Sequence, residues 1–480
     1  MRNTYSLLLS EKLRVIAEEK HQYHPLTERH IQALWLEQKY FKSLTTENND
    51  RIEIISPGIW NAEAGPDFLK ALIRINGQEM KGDIEIHLSE EDWYHHKHHL
   101  DERYNNVILH VAFWKPRHIM ELTTKEGRQI LQIHLENSLL IPQQKIVQII
   151  DLDLYPYKQF LGSGRCAQKI FQTLDEGSVE KFFTHAAQWR LSQKRNFLKA
   201  HATDSSQLMQ LGMAMSLGFK HNIDPFIQMF LSCQRYLDCT EDQLLAICLK
   251  ACGFFAPDYV LQWNDSKKYQ QLMNEAVKFP ISDFPLLKMR THQIRPLNHP
   301  IRRLAILAKI LKDYRYRNFK QELQTIWNDN WKSRKWSSLR KLLLEAMPSY
   351  EDEYWSSHFL FETSPQRNPV PLVGKEFKLT YIVNVFLPLL QEAIEEKADL
   401  TEWRALAEFY STFPPGNSGK AKYIIHRLFG DTPKGQILKR GDMEQGAFQL
   451  HKDFCIHYES SCEGCPFIQR FERLSHCYGL

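Results

Sequence analysis

No apolar run in the sequence approaches the ~20 residues that a bilayer span needs. The stretch from Tyr381 to Leu390 is interrupted by Asn384 and Pro388. A signal-peptide core is also missing, because Leu7-Leu8-Leu9 runs directly into charged residues. These absences set the expectation of a cytoplasmic chain with no membrane partner. Strong charge of one sign is lacking too. A net charge of +4 over 480 residues means that any polyanion-binding surface must be a local patch. The nine cysteines are odd in number and unevenly spread, which argues against a disulfide scaffold and for metal ligands or buried thiols. Internal repeats and low-complexity tracts are absent.

What is present divides by periodicity. Pro25-Leu26-Thr27 followed by Ile31, Leu34 and Trp35 predicts an N-terminal helix. Short alternating segments come next: Arg51–Ile55, Ala71–Ile75, Gly82–Leu88, Val107–Phe113 and Gln129–Leu135. Asn76-Gly77 supplies the positive φ of a tight hairpin between two of them. From about residue 175 the pattern is helical, with a capping box at Thr240-Glu241-Asp242-Gln243 and a stop at Gly253. The expected fold class is α+β: a mostly antiparallel or mixed sheet with flanking helices, then a long helical region. Three parts are expected: 1–155 carrying the sheet, 156–435 helical, and 436–480 with a cysteine-stapled tail.

The densest chemistry lies in Gly82-Asp83-Ile84-Glu85-Ile86-His87-Leu88. On a strand, Asp83, Glu85 and His87 share one face, opposite Ile84, Ile86 and Leu88. A row of two carboxylates and an imidazole suits a divalent cation better than it suits packing. Asp67 precedes the hairpin and can approach Glu85. Four histidines follow within Asp92-Trp93-Tyr94-His95-His96-Lys97-His98-His99, and His110 and His134 sit inside later strands. Taken singly, each histidine is explained by solvated surface or by a hydrogen-bonded core. Taken together, the acids and imidazoles make a candidate site, with His96, His98 and His110 as the best histidine ligands beside Asp67, Asp83, Glu85 and His87.

Pro66-Asp67, the hairpin and Glu85-Ile86-His87 resemble the Pro-Asp, hairpin, (Asp/Glu)-x-Lys signature of the restriction-endonuclease-like nucleases. By that resemblance Asp67 and Glu85 would hold Mg2+ or Mn2+, and His87, standing where that family has lysine, would orient or deprotonate the attacking water. At the other end, Cys455, Cys462, Cys465 and Cys477 offer four thiolates, enough for a [4Fe–4S] cluster or a closed Zn2+ site. The C-x6-C-x2-C run resembles the cluster loop of endonuclease III-type proteins. The remaining cysteines, Cys166 among them, have no ligand spacing and read as buried thiols.

Arg190, Lys194 and Arg195 on one helix form either a phosphate-tracking stripe for DNA or RNA or an ordinary solvated face. Segments 312–320 and 332–341 mix basic and aromatic residues in the same suggestive way. Over nearly its full length the chain resembles a large bacterial family without an assigned activity. The resemblance is carried by Gly58-Ile59-Trp60-Asn61, Ala64-Gly65-Pro66-Asp67-Phe68, the Gly82–His87 strand, Asp92-Trp93, Val107-Ile108-Leu109-His110-Val111, Arg295-Pro296-Leu297-Asn298 and the final cysteines. The leading expectation is a metal-dependent nuclease. The alternatives are a non-catalytic nucleic-acid-binding or scaffold protein and a zinc or manganese hydrolase of a small substrate.

Overall fold

A computed structural model describes residues 3–9, 26–38, 40–48, 50–61, 64–150, 152, 155, 163–202, 204–219, 222–280, 286–291, 294–316, 318–416, 418–430, 439–457, 462 and 465–478. The chain is α+β and divides into two units. One, the sheet unit, comprises Leu7–Leu174, Lys422–Gly435 and Leu450–Leu480. The other, the helical unit, comprises Met1–Ser6, Asp175–Ala421 and Gln436–Gln449.

The sheet is built from β1 (Leu44–Thr45), β2 (Arg51–Ser56), β3 (Ile59–Trp60), β4 (Phe68–Ile75), β5 (Gln78–His87), β6 (Val107–Ala112) and β7 (Leu131–His134). Their order is β1-β2-β4-β5-β6-β7, with β3 paired to β4. Pairings up to β4–β5 are antiparallel, and β5–β6 and β6–β7 are parallel, so the sheet is mixed. Asn76 and Gly77 both take positive φ (49° and 84°), and Ile75 pairs directly with Gln78, as a two-residue hairpin loop requires.

β5 emerges from exposed residues at its start and is buried without a break from Gly82 to His87, because both sheet faces are covered there. On one face Ile84, Ile86, Leu109 and Val111 join a core with Ile31, Leu34 and Trp35 of the helix Glu28–Glu37. Each such burial contributes roughly 1.5–3 kcal/mol. Val107 and the long β5–β6 and β6–β7 connections form a smaller cluster with Trp93, Tyr104, Leu122 and Ile130. Gly82 permits the close approach of β6. A Cβ there would overlap Ile108 Cγ2 and stand 2.7 Å from the Asn106 carbonyl oxygen.

In the helical unit the Thr240 capping box forms as expected. Gln243 N donates to Thr240 Oγ1 (3.2 Å) and Thr240 N donates to Gln243 Oε1 (3.0 Å), and Gly253 follows with φ 75°. Helices Ile223–Cys233, Lys267–Ala276, Phe319–Asn330 and Leu400–Ser411 were not legible in the sequence. The interrupted run at Tyr381–Leu390 proves to be part of one 23-residue helix, Lys375–Lys397. It passes through Pro388 after a wide π turn at Ile382–Phe386. By length and composition this helix qualifies as a membrane span, but 61% of its apolar window is buried within the protein. The Tyr381 hydroxyl, for example, donates to the Met209 carbonyl (2.9 Å).

Candidate metal centre

Two local devices assemble the centre. Alternation along β5 puts Glu85 and His87 on the face opposite Ile84 and Ile86, and β6 brings His110 beside Glu85 in register. The connection then folds back over this face. The short helix Asp92–His95 ends at His96, Lys97 takes a left-handed turn (φ 61°), and a 3-10 turn begins at His98. Residues two apart on a continuous helix diverge. The turn at Lys97 lets His96 and His98 both reach His87.

The resulting distances are closely matched. His87 Nε2 lies 3.2 Å from His96 Nδ1 and 3.3 Å from His98 Nε2. Glu85 Oε1 lies 3.4 Å from His87 Nε2 and 3.2 Å from His98 Nε2. Four ligands held at 2.0–2.1 Å around one tetrahedral ion stand about 3.3 Å from one another. The ring nitrogens of His87, His96 and His98 lie within 4.8 Å of one another, and Glu85 reaches this trio through His87 and His98. Glu85, His87 and His98 are each less than a tenth exposed, while His96 is exposed and marks the mouth of the centre. The His98 ring stacks on Tyr104 (centroids 3.9 Å apart) and packs edge-on against Trp93. Burial, with Glu85 and Asp67 nearby, pushes the Tyr104 hydroxyl well above its ordinary pKa.

Behind His87, His110 Nε2 lies 2.8 Å from His87 Nδ1. Burial, reinforced by His134 and His98, holds the His110 imidazole down to about 3, so it is neutral. His110 is therefore placed to orient His87, not to join the group of ligand atoms. Asp67 is tied to the centre through Glu85: Asp67 N donates to Glu85 Oε2 (3.0 Å), and Ile86 N donates to Asp67 Oδ2 (3.1 Å). Asp83 has a different setting. The β4–β5 register shifts between Phe68 and Ala71, Lys70 takes φ 57°, and the Asp83 carboxylate accepts from Lys70 N (2.9 Å) and Asn106 Nδ2 (3.2 Å). Asp83 thus stabilises the bulge at the start of the strand. A second grouping, Glu47, Glu90 and His134, also brings its ligand atoms within 4.8 Å of one another, with Glu47 on the surface.

Elsewhere in the sheet unit, Cys455, Cys462 and Cys465 line one cavity together with Cys166 and Arg427. Cys477 lies on the helix Phe467–Tyr478, but its side chain is outside the described residues. Burial raises the thiols of Cys455 and Cys465 and pushes Cys166 up to about 12.

The basic stripe is occupied within the helical unit. Arg190 Nε donates to Gln445 Oε1 (3.0 Å), Lys194 Nζ donates to the same oxygen (3.0 Å), and Arg195 pairs with Glu395 (2.7 Å). Lys312 and Arg340 likewise donate to backbone carbonyls, of Cys239 and Thr412.

A family model described as "Protein of unknown function (DUF2851)" matches residues 28–418. The chain belongs to this family. The matched span contains the whole histidine–carboxylate centre and Cys166, whereas Cys455, Cys462 and Cys465 follow it. No curated protein matches the chain, and no solved structure does.

Arg427 and Tyr104 escaped the sequence reading, and Cys166, buried as expected, proves to share a cavity with Cys455, Cys462 and Cys465. Only the size of Tyr104, six residues beyond His98, offered a local signal. Cys166 and Arg427 come from distant segments and have no spacing to betray them.

Proposed function

We propose that the chain is a metal-dependent hydrolase centred on Glu85, His87, His98 and His96, with a phosphodiester of DNA or RNA as substrate. The observation that carries this reading is the set of four ligand-to-ligand distances of 3.2–3.4 Å among these residues. Three imidazole nitrogens and one carboxylate oxygen favour Zn2+ or Mn2+ over Mg2+. The buried trio Glu85, His87 and His98 has the donor count of a catalytic zinc site. His96, at the surface, marks the side from which a water or substrate oxygen would reach the ion, as a fifth ligand or in place of His96.

A metal here would lower the pKa of a bound water and polarise the phosphoryl oxygen. Glu85 and His98 fix the position of the ion, and His110 holds the proton on His87 Nδ1 so that Nε2 is free to donate its lone pair. The phosphodiester assignment is supported by the resemblance of Pro66-Asp67, the hairpin and Glu85 to nucleases, with the backbone N–H of Asp67 on the Glu85 carboxylate. The basic stripe of the helical unit gives it no support.

Burial favours a second reading, a closed structural metal site inside a scaffold. Metal analysis combined with cleavage of labelled single- and double-stranded DNA and RNA separates the two. The assays would use Zn2+, Mn2+, Mg2+ or EDTA, with Glu85→Gln alongside. About one ion per chain with metal-dependent cleavage that Glu85→Gln abolishes is the expected result. A bound ion without cleavage selects the structural reading, and no bound ion overturns both.

A further inference from the structure

We infer that Cys166, Cys455, Cys462 and Cys465 hold a [4Fe–4S] cluster that fastens the C-terminal tail to the sheet unit, with Arg427 as its counter-cation. These residues line a single cavity of about 410 Å3, counting space open to solvent. Three sequence-distant segments meet there: the chain at 163–167, the helix Gly419–Phe429 and the tail from Leu450.

The contacts between these segments are specific. Gly164 N donates to the Arg427 carbonyl (2.6 Å). A Cβ on Gly164 would lie 3.0 Å from that oxygen and 3.5 Å from Cys462 Sγ, so the approach is tight at the carbonyl and in ordinary contact with the sulfur. In the tail Cys462 takes φ 58° and Cys465 N donates to the Cys462 carbonyl (3.3 Å). Both residues of the C-x2-C pair line the same cavity.

The rest of the lining suits a cluster. Leu428, Leu450, Phe454 and Phe467 surround the thiols with apolar groups, which exclude water and oxidants. Arg427, 1% exposed, donates from Nη2 to Cys462 Sγ (3.2 Å) and from Nη1 to Tyr423 Oη (2.8 Å). A buried guanidinium against sulfur offsets the negative charge of a thiolate-bound cluster, and N–H donors to sulfur are a standard means of tuning one. A closed zinc site would need all four sulfurs about 2.3 Å from one ion and is the competing outcome that metal analysis separates. The assignment stands independently of the chemistry at the histidine centre.

The test is iron, sulfide and zinc analysis of the anaerobically purified full chain, with Cys166→Ser, Cys477→Ser and Cys239→Ser. About four irons and four sulfides per chain are expected in wild type, Cys477→Ser and Cys239→Ser, with the larger part lost in Cys166→Ser. Zinc in place of iron overturns the cluster. Iron retained in Cys166→Ser and lost in Cys477→Ser overturns the ligand set. Should Cys166→Ser fail to fold, alkylation of the wild-type protein decides the same point. Cys166 should react only after ferricyanide and EDTA strip the iron, and full reaction with the iron still bound overturns its role.

Discussion

His110 Nε2 stands 2.8 Å behind His87 Nδ1, the far side of the ring whose Nε2 faces His96, His98 and Glu85. A neutral His110 can accept the His87 Nδ1 proton and so fix the tautomer in which Nε2 is a ligand. Removing such a partner typically costs 10–100-fold in metal affinity. His110→Phe is therefore expected to weaken zinc binding by about that factor without changing the stoichiometry of about one ion. Competition against a chromophoric chelator measures it, and unchanged affinity would show that His110 serves packing alone.

The two aspartates of the sheet should separate cleanly. Asp67→Ala removes the acceptor for Ile86 N beside Glu85 and is expected to loosen the carboxylate and lower metal affinity. Asp83→Ala leaves Lys70 N and Asn106 Nδ2 without their shared acceptor. Its expected effect is a loss of about 1–3 kcal/mol of stability, with metal content unchanged. Zinc analysis and a denaturant titration on both variants check this, and equal metal loss in both would contradict the distinction.

That distinction also shows how far the sequence reaches. Alternation places Asp83, Glu85 and His87 on one face, and for Glu85 and His87 this is sufficient. Asp83 diverges because the bulge at Lys70, on the neighbouring strand, presents an amide to it, and no local pattern in β5 encodes that. The histidine density of 95–99 marks the site, but the left-handed turn at Lys97 decides which two rings converge. Cys166 is a harder case, since the cysteines that share its cavity lie near the other end of the chain and ligand spacing exists only within a segment. The capping box at Thr240 was legible because all of its parts lie within four residues.

Gly82 holds the strands of the centre at their spacing. Gly82→Ala forces a Cβ against Ile108 and the Asn106 carbonyl, where neither backbone nor β-branched side chain yields easily. Overpacking of this kind costs roughly 1–3 kcal/mol. Because β6 carries His110, the same shift should weaken metal binding. Loss of thermal stability together with reduced zinc affinity is the expected pair of results, and Gly374→Ala, at an exposed position with φ −84° and open space around it, serves as the comparison.

His299 makes the helical unit acid-sensitive. It is buried just before the helix Pro300–Tyr316, beside the Phe254 ring, and its Nδ1 accepts from Ile301 N (3.4 Å). Desolvation lowers its pKa from 6.5 to about 4. The unfolded chain therefore takes up a proton near pH 6.5, while the folded unit resists it until about pH 4. The stabilising difference is fully present above pH 6.5 and is lost as pH falls through that window, reaching about 3 kcal/mol. Urea midpoints between pH 7.5 and 4.5, followed by tryptophan fluorescence, should fall in wild type and fall less steeply in His299→Gln. Parallel slopes in the two proteins would assign the acid sensitivity to other groups.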